Sequence, residues 1–281
     1  DGSSGDGSSG DGSSGDDSSS GGGSSDGSDN ENEDSEIDTE PVLEEEIVYI
    51  DDCEDLKELS NRHRQNIDPI IDTLKGKLVS SPKTEWFASL KKKYDTSVAQ
   101  GTDYNNQDYY NYSNTMEEGV GGTSNISVGG YYYAAAHTHK KKGYPIFSYV
   151  DVKKLVVLYN NCFVPNQPYV TLLVVSNNPS DSANPFIYAI KVDDISALEN
   201  KVNGIYDSLE YSGFTDGKDR EKAILRDDAD AYKKNKNDLE KYFLEKYGDA
   251  GLDLYRADSN LNWSELTLNE TNAVVSIPCA N

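Results

Sequence analysis

The composition of the first 46 residues indicates that only the rest of the chain can form a folded domain. They consist of DGSSG repeats followed by an acidic run, with sixteen Asp or Glu residues and no Lys or Arg. Glycine, serine and aspartate cannot bury enough apolar surface to offset the conformational entropy lost on folding. We therefore predict that residues 1–46 form a disordered acidic Gly/Ser tether and that a single domain spans residues 47–281.

Most of the acidity of the chain belongs to this predicted tether. The net charge is -24, but residues 47–281 contain 34 acidic and 26 basic side chains. An acidic chain is repelled by phosphate backbones, so we expect no nucleic-acid partner. No run of 18 apolar residues occurs, and the sequence therefore predicts no membrane-spanning helix.

Strand-like patterns recur through the predicted domain. Apolar runs and alternation predict strands at 84–91, within 112–128, and at 131–139, 169–176, 186–192, 252–255 and 265–277. The segment 169–176 is apolar on both faces, which predicts a position in the middle of the sheet beside 186–192. Residues 99–111 lack any period and are predicted to form a loop.

Helical spacing of apolar residues complements these strands. It predicts helices at 51–77, from 148 to about 159, from 193 to about 209, and at 219–247. Pro69 is expected to kink the first helix or to split it in two. Because strands and helices do not alternate strictly, we predict an α/β domain with a mixed β-sheet flanked by helices and a helical insertion at about 193–250.

The three cysteines leave two alternatives open. Cys53, Cys162 and Cys279 form no C-x-x-C pair, so a cysteine zinc site is not expected. One disulfide plus a free thiol is compatible with the sequence, as are three buried thiols. The tendency of free cysteine to pack as a small hydrophobic residue favours three thiols.

The most informative local pattern is a pair of histidines one residue apart. His137 and His139 are two of only three histidines in the chain, and they lie in the predicted strand 131–139. Side chains at i and i+2 leave the same face of a strand, so the two imidazoles are expected to project together. Asp151 follows closely and offers an oxygen ligand. Two imidazoles, one carboxylate and a water are typical of a catalytic zinc, so we predict zinc as the cofactor.

The spacing of these residues resembles a known metallopeptidase motif. H-x-H, eight residues and then S-x-x-D (His137, His139, Ser148 and Asp151) is similar to H-x-H-P-x7-S-x-x-D of the JAMM (MPN+) family. The resemblance covers about residues 84–192. It implies a cytidine-deaminase-like three-layer fold, zinc bound by His137, His139 and Asp151, and an oxyanion stabilised by Ser148. The implied reaction is hydrolysis of a peptide, isopeptide or related amide bond in a peptide or protein substrate.

The family resemblance also implies a glutamate on an early strand. This residue takes a proton from the zinc-bound water and returns it to the leaving amine. Glu85 is our first choice, because it begins a predicted strand and lies 52 residues before His137. Glu117 or Glu118 is the alternative, about twenty residues before His137 in a Gly-rich region.

The sequence is also compatible with other functions. Lys140 occupies the position of the motif proline, so a non-catalytic binding or structural module with a degenerate JAMM fold is the main alternative. Ser148-x-x-Asp151 is also the pattern of a helix capping box, which is compatible with metal binding. The tyrosine-rich region 94–149 motivates a third option, a glycan-binding surface protein.

The predicted tether suggests where the domain resides. An acidic Gly/Ser-rich leader resembles the segment that follows the lipidated cysteine of bacterial surface lipoproteins, notably in Bacteroidota. The resemblance implies an extracytoplasmic location, as an outer-membrane or cell-surface lipoprotein. Contact with a membrane is then expected only through an N-terminal lipid tether.

Overall fold

A computed structural model of the chain describes residues 51–61, 65–94, 110–119, 126–140, 143–178, 180–181 and 183–279. The predicted tether 1–46 and residues 99–109 of the predicted loop lie outside this part. Within it, no helix combines the length and the apolar character needed to cross a membrane.

One sheet of eight strands forms the centre of the fold. The strands are β1 (Trp86–Tyr94), β2 (Tyr110–Glu118), β3 (Tyr132–Thr138), β4 (Thr171–Ser176), β5 (Phe186–Val192), β6 (Leu252–Ala257), β7 (Trp263–Leu268) and β8 (Val274–Pro278). Their order across the sheet is β2-β1-β3-β4-β5-β6-β7-β8. β3 and β4 pair in parallel and the other neighbours are antiparallel, so the sheet is mixed.

Helices flank this sheet, which confirms the predicted α/β class. They are α1 (Asp52–Glu58), α2 (Asp68–Ser80), α3 (Tyr149–Asn161), α4 (Ile195–Tyr206), α5 (Gly217–Lys234) and α6 (Leu239–Tyr247), with short 3-10 turns at Val164–Tyr169 and Leu209–Tyr211. α2 packs on β1, β3 and β4, whereas α3 packs on β3, β4 and β5 and also contacts α4 and α5. In the chain, the helices α4, α5 and α6 all lie between β5 and β6.

The middle of the sheet carries the candidate site. All six residues of β4 are buried, as expected for a strand covered on both faces. β4 pairs in parallel with β3, and α3 lies in the connection between them. A parallel pair needs a crossover of this kind. The end of β3 and the start of α3, which carry the motif residues, are thus held against the best-buried part of the core.

The predicted helix 51–77 is two helices, which is one of the two outcomes expected from Pro69. α1 ends at Glu58, and α2 begins at Asp68 with Pro69 in its first turn, where a missing N–H is tolerated. The Asp51 carboxylate caps α1 by accepting from the backbone N–H groups of Cys53 (2.8 Å) and Glu54 (3.1 Å).

Two other elements are shorter in the structure than the sequence predicted. The segment 219–247 was predicted as one helix but is interrupted at residues 235–238, and the Asn235 side chain donates to the Ala231 carbonyl at 2.9 Å where α5 ends. The segment 265–277 was predicted as one strand but is a hairpin of β7 and β8. At its turn the Asn269 side chain accepts from the N–H groups of Thr271 and Ala273, and Asn272 has a left-handed φ of 58°.

The cysteines differ from the favoured expectation of three thiols. Cys53 in α1 and Cys279 after β8 form a disulfide across 226 residues, and Cys162 is the buried free thiol. Burial raises the pKa of the Cys162 thiol to about 12. A loop of this length is expected to stabilise the fold by about 5 kcal/mol in the chain-entropy description. Sequence spacing carries no sign of this pairing, because the two residues are 226 positions apart and only the tertiary fold brings them together.

Candidate metal centre

The structure brings together the three predicted metal ligands. His137 Nε2 lies 3.1 Å from His139 Nε2. Asp151 completes the cluster, with Oδ1 at 3.3 Å from His137 Nε2 and Oδ2 at 3.1 Å from His139 Nε2. The residues are 1%, 4% and 4% exposed, and one ligand atom from each lies within 4.8 Å of the others. This group could hold a metal ion.

Local structure explains this convergence. His137 belongs to β3 and His139 follows the last residue of the strand, so alternation directs both imidazoles to one side. The chain then turns and begins α3 at Tyr149, which places Asp151 in the first helical turn. Negative side chains are favoured in this position because the N-terminal end of a helix carries a partial positive charge.

The environment of His139 selects the tautomer that a metal ligand requires. Its Nδ1 lies 2.8 Å from the carbonyl oxygen of Tyr144, so Nδ1–H donates to that oxygen. In the neutral imidazole Nε2 is then the unprotonated nitrogen and directs its lone pair at the cluster. The Nδ1 atom of His137 is buried and has no hydrogen-bond partner among the described residues.

Ser148 contacts the carboxylate of Asp151. Its backbone N–H donates to Asp151 Oδ2 at 2.8 Å, and its hydroxyl donates to the same oxygen at 2.7 Å. The first of these bonds is half of the capping-box arrangement expected from Ser-x-x-Asp. Capping and ligand placement are therefore compatible, because the same bonds that begin α3 also fix the carboxylate beside the two imidazoles.

Burial and the attraction between the three groups have opposite effects on the pKa of each group. For His137, burial outweighs the attraction of Asp151 and lowers the pKa of the imidazole. Burial also acts on His139, but Asp151, together with Glu85 and the Tyr144 carbonyl, raises the pKa of this imidazole. Burial disfavours the Asp151 carboxylate, yet the two imidazoles hold its pKa well below the usual range. The cluster therefore keeps an ionised carboxylate that favours a cation.

Glu85, our first choice for the proton carrier, lies immediately before β1. Phe87 of β1 pairs with His137, and the N–H of Trp86 donates to Thr138 Oγ1 at 2.9 Å. Continued by two residues, this antiparallel register places Glu85 opposite His139. The negative charge of Glu85 contributes to the raised pKa of His139, as expected for groups close in space.

The alternative glutamates occupy a different part of the sheet. Glu117 pairs with Phe87 and Glu118 pairs with Trp86, so both lie on β2 at the edge of the sheet. Both side chains are exposed. β1 separates β2 from β3 in the sheet, which places these two residues one strand farther from the histidines than Glu85 is.

Helix α5 supports the site through contacts that the sequence did not indicate. Three hydrogen bonds connect it to residues 143–149: Tyr144 Oη to the Leu225 carbonyl (2.5 Å), Tyr149 N–H to Asp228 Oδ2 (2.9 Å), and Tyr232 Oη to the Phe147 carbonyl (2.6 Å). Asp228 is 4% exposed and also pairs with Lys246 of α6 at 2.5 Å. The helical insertion thereby fixes the segment that carries the Tyr144 carbonyl and Ser148.

Comparisons with known proteins identify no relative: no protein family, curated protein or solved structure matches this chain. Its fold and its side chains therefore define it as an α/β protein with an eight-stranded mixed sheet and a buried His-His-Asp group suited to a cation.

Proposed function

We propose that this domain is a JAMM-like zinc hydrolase that cleaves a peptide, isopeptide or related amide bond. The observation that carries the proposal is the geometry of His139, whose Nδ1 is fixed by the Tyr144 carbonyl while Nε2 faces His137 and Asp151. Two imidazoles and one carboxylate are a common ligand set for a zinc with an open position. The parallel β3–β4 pair with α3 in its connection supports a JAMM-like three-layer arrangement.

Each site residue has a defined part in this reaction. His137, His139 and Asp151 would hold the metal, and bound zinc polarises a carbonyl and lowers the pKa of a water ligand. Glu85, opposite His139, would take the proton of the attacking water and return it to the leaving amine. The Ser148 hydroxyl would donate to the developing oxyanion, which requires it to release its bond to Asp151.

The disulfide supports the proposed extracytoplasmic location. Cys53 and Cys279 are bridged, and disulfides persist in oxidising compartments such as the periplasm or the cell surface. Attachment through a lipidated N-terminal tether remains part of the proposal and is tested by metabolic labelling of the precursor with a radioactive fatty acid. Absence of label would remove the tether from the proposal and leave the site chemistry unaffected.

A zinc assay combined with a substitution at Glu85 tests the enzymatic proposal. We expect one zinc per chain by elemental analysis and cleavage within a broad panel of peptide and isopeptide substrates. Glu85→Gln should retain zinc while the rate falls by about 10²- to 10⁴-fold, because it removes the proton carrier. Glu118→Gln is the matched control, since this exposed residue lies on the edge strand. Equal loss of rate in both variants would contradict the assignment of Glu85.

A non-catalytic metal-binding module is the second candidate function. The near-complete burial of His137, His139 and Asp151 favours it, and so does the bond of the Ser148 hydroxyl to Asp151. Lys140 in the place of the motif proline points the same way. Stoichiometric zinc without cleavage of any substrate in the panel would select this module over the enzyme.

A further inference from the structure

A cavity of about 390 Å³ adjoins the candidate metal centre. The two share Tyr144, which lines the cavity while its carbonyl accepts from His139 Nδ1. The rings of Tyr144 and His139 have their centroids 6.0 Å apart. Lys140, which directly follows His139 in the chain, also lines the cavity. A molecule bound here would therefore contact Tyr144, the residue whose carbonyl orients His139.

The charge of this cavity is opposite to that of the chain. Lys140, Lys233 and Lys236 line it, and none of the described lining residues is acidic. The chain as a whole has 50 acidic and 26 basic side chains, so three lysines around one cavity depart from its average. Lys233 pairs with Asp230 at 3.0 Å, whereas Lys140 and Lys236 form no ion pair with any described residue.

The remaining walls are mainly aromatic and aliphatic. Tyr144 and Tyr232 contact each other edge to face with ring centroids 5.7 Å apart, and Pro145 and Leu239 extend the apolar surface. Both tyrosine hydroxyls already donate to backbone carbonyls of the protein. The ammonium groups and the Asn177 amide are therefore the side-chain donors left for a ligand, and the apolar walls suit a short aliphatic stem.

We propose that this cavity binds an acidic side chain of a peptide substrate, next to the bond that the metal centre cleaves. An anionic group with an aliphatic stem, such as glutamate, complements both the lysines and the apolar walls. Because Tyr144 connects the cavity to His139, the acidic side chain would belong to the same peptide segment as the scissile bond. This inference rests on the proposed function for the site but concerns recognition rather than hydrolysis.

Binding of charged and neutral peptides to the full chain tests this inference. The probes are fluorescein-labelled peptides of equal length that contain either a run of glutamates or the same run of glutamines. By fluorescence anisotropy at low salt we expect the glutamate peptide to bind about tenfold more tightly, and the difference to shrink as salt screens the lysines. Each of Lys233→Gln and Lys236→Gln should weaken binding of the glutamate peptide about two- to fivefold.

A matched lysine on the same helix controls for general electrostatics. Lys222 pairs with Asp219 at 2.8 Å, in the same i,i+3 arrangement as Lys233 with Asp230, but it does not line the cavity. Lys222→Gln should leave binding unchanged. Near-UV circular dichroism checks that each variant is folded.

Three results would overturn the proposed acidic-peptide site. These are equal binding of the two peptides, equal losses in Lys222→Gln and Lys233→Gln, and complete displacement of the glutamate peptide by inorganic phosphate at the same concentration. Failure of the hydrolase proposal gives a different result, since selective peptide binding would persist without cleavage. Cleavage with no preference for acidic peptides would instead reject the cavity and retain the hydrolase.

Discussion

Two buried clusters of ionisable groups in the described part of the chain differ in one respect, because one contains its own cation and the other does not. In the first, Lys191 of β5 is 1% exposed and contacts Asp55 at 2.5 Å and Asp52 at 3.3 Å. In the second, His137, His139 and Asp151 converge with no lysine or arginine in contact among the described residues. We name them the lysine cluster and the histidine cluster.

The difference shows what each cluster requires in order to remain buried. A buried carboxylate is stable only when it is paired and hydrogen-bonded, and Lys191 provides that pairing in the lysine cluster. In the histidine cluster the two Nε2 atoms face each other at 3.1 Å. A proton carried by one imidazole can join these two atoms, and a metal cation in its place would be held by both imidazoles and Asp151. The histidine cluster could therefore take up a cation from solution, whereas the lysine cluster already contains Lys191.

Removing Lys191 gives the largest expected effect. Lys191→Met should lower the free energy of unfolding by about 3–5 kcal/mol, because the buried Asp55 would lose the lysine that compensates its charge. Urea denaturation at neutral pH measures this loss, and added zinc should not restore it. The double variant Lys191→Met/Asp55→Leu should recover much of the stability. A loss below about 1 kcal/mol in the single variant would show that Asp55 is not buried as described.

Zinc and chelator should act on the histidine cluster alone. With free zinc a hundredfold above its dissociation constant, the free energy of unfolding should rise by about 2.7 kcal/mol. Thermal unfolding with zinc and with EDTA measures the effect, which Asp151→Asn should abolish and Lys191→Met should retain. Zinc-dependent stabilisation that survives in Asp151→Asn would place the metal elsewhere.

The stabilisation of the fold by zinc should depend on pH. A metal binds the unprotonated imidazole, and Asp151 together with Glu85 raises the pKa of His139. Protons therefore compete increasingly as the pH falls through the titration range of His139. The stabilisation by zinc should shrink from neutral to acidic pH and be fully present at the alkaline end.

The next effect concerns the support that α5 gives to the histidine cluster. Asp228→Asn should lower the free energy of unfolding by about 1.5–2 kcal/mol, because the Tyr149 N–H and Lys246 lose a charged acceptor. It should also weaken zinc binding about tenfold, as is usual for residues that orient metal ligands. Urea denaturation and zinc titration measure the two effects.

A neighbouring aspartate provides the control for Asp228. Asp227 lies on the same helix but accepts from the Tyr211 hydroxyl, away from residues 143–149. Asp227→Asn should leave zinc affinity unchanged. If Asp228→Asn lowers stability without changing zinc affinity, α5 stabilises the fold but does not position the site.

The two clusters also differ in whether the amino-acid sequence predicts that their residues meet. The histidine cluster was predictable because its members lie within fifteen residues, from His137 to Asp151, and a strand followed by a helix suffices to bring them together. The lysine cluster and the disulfide join residues 136 and 226 positions apart, respectively. No periodicity within a single strand or helix encodes such contacts, which depend on the order of strands in the complete sheet.

The end of α5 and the burial of Asp228 also depend on contacts that the local sequence pattern does not encode. Residues 235–238 are polar like much of the predicted helix, so the interruption between α5 and α6, where the Asn235 side chain bonds to the Ala231 carbonyl, was not evident from the pattern. Asp228 appeared to be one of many charges on an exposed helix. Its burial becomes evident only where α5 packs against α3, because charge alternation gives no information on which face meets another element.

The smallest effect concerns an acid that the lysine cluster leaves unpaired. Burial, together with Asp193 and Asp52, raises the pKa of Asp253 to about 6, and Lys191 opposes this only weakly. Between the pKa of the unfolded chain and this value the native state binds more protons, so stability falls as the pH rises. Asp253→Asn removes that penalty and should raise the free energy of unfolding at about pH 7 by less than about 1 kcal/mol, given screening by solvent.

Two comparisons decide whether Asp253 acts through its ionisation. The gain in melting temperature should disappear below about pH 4, where the carboxylate is protonated in both states. Asp249→Asn makes the same change of charge at an exposed position near β6 and should have no effect at either pH. A gain that persists in acid would mean that the substitution acts through the packing of the amide and not through the ionisation of Asp253.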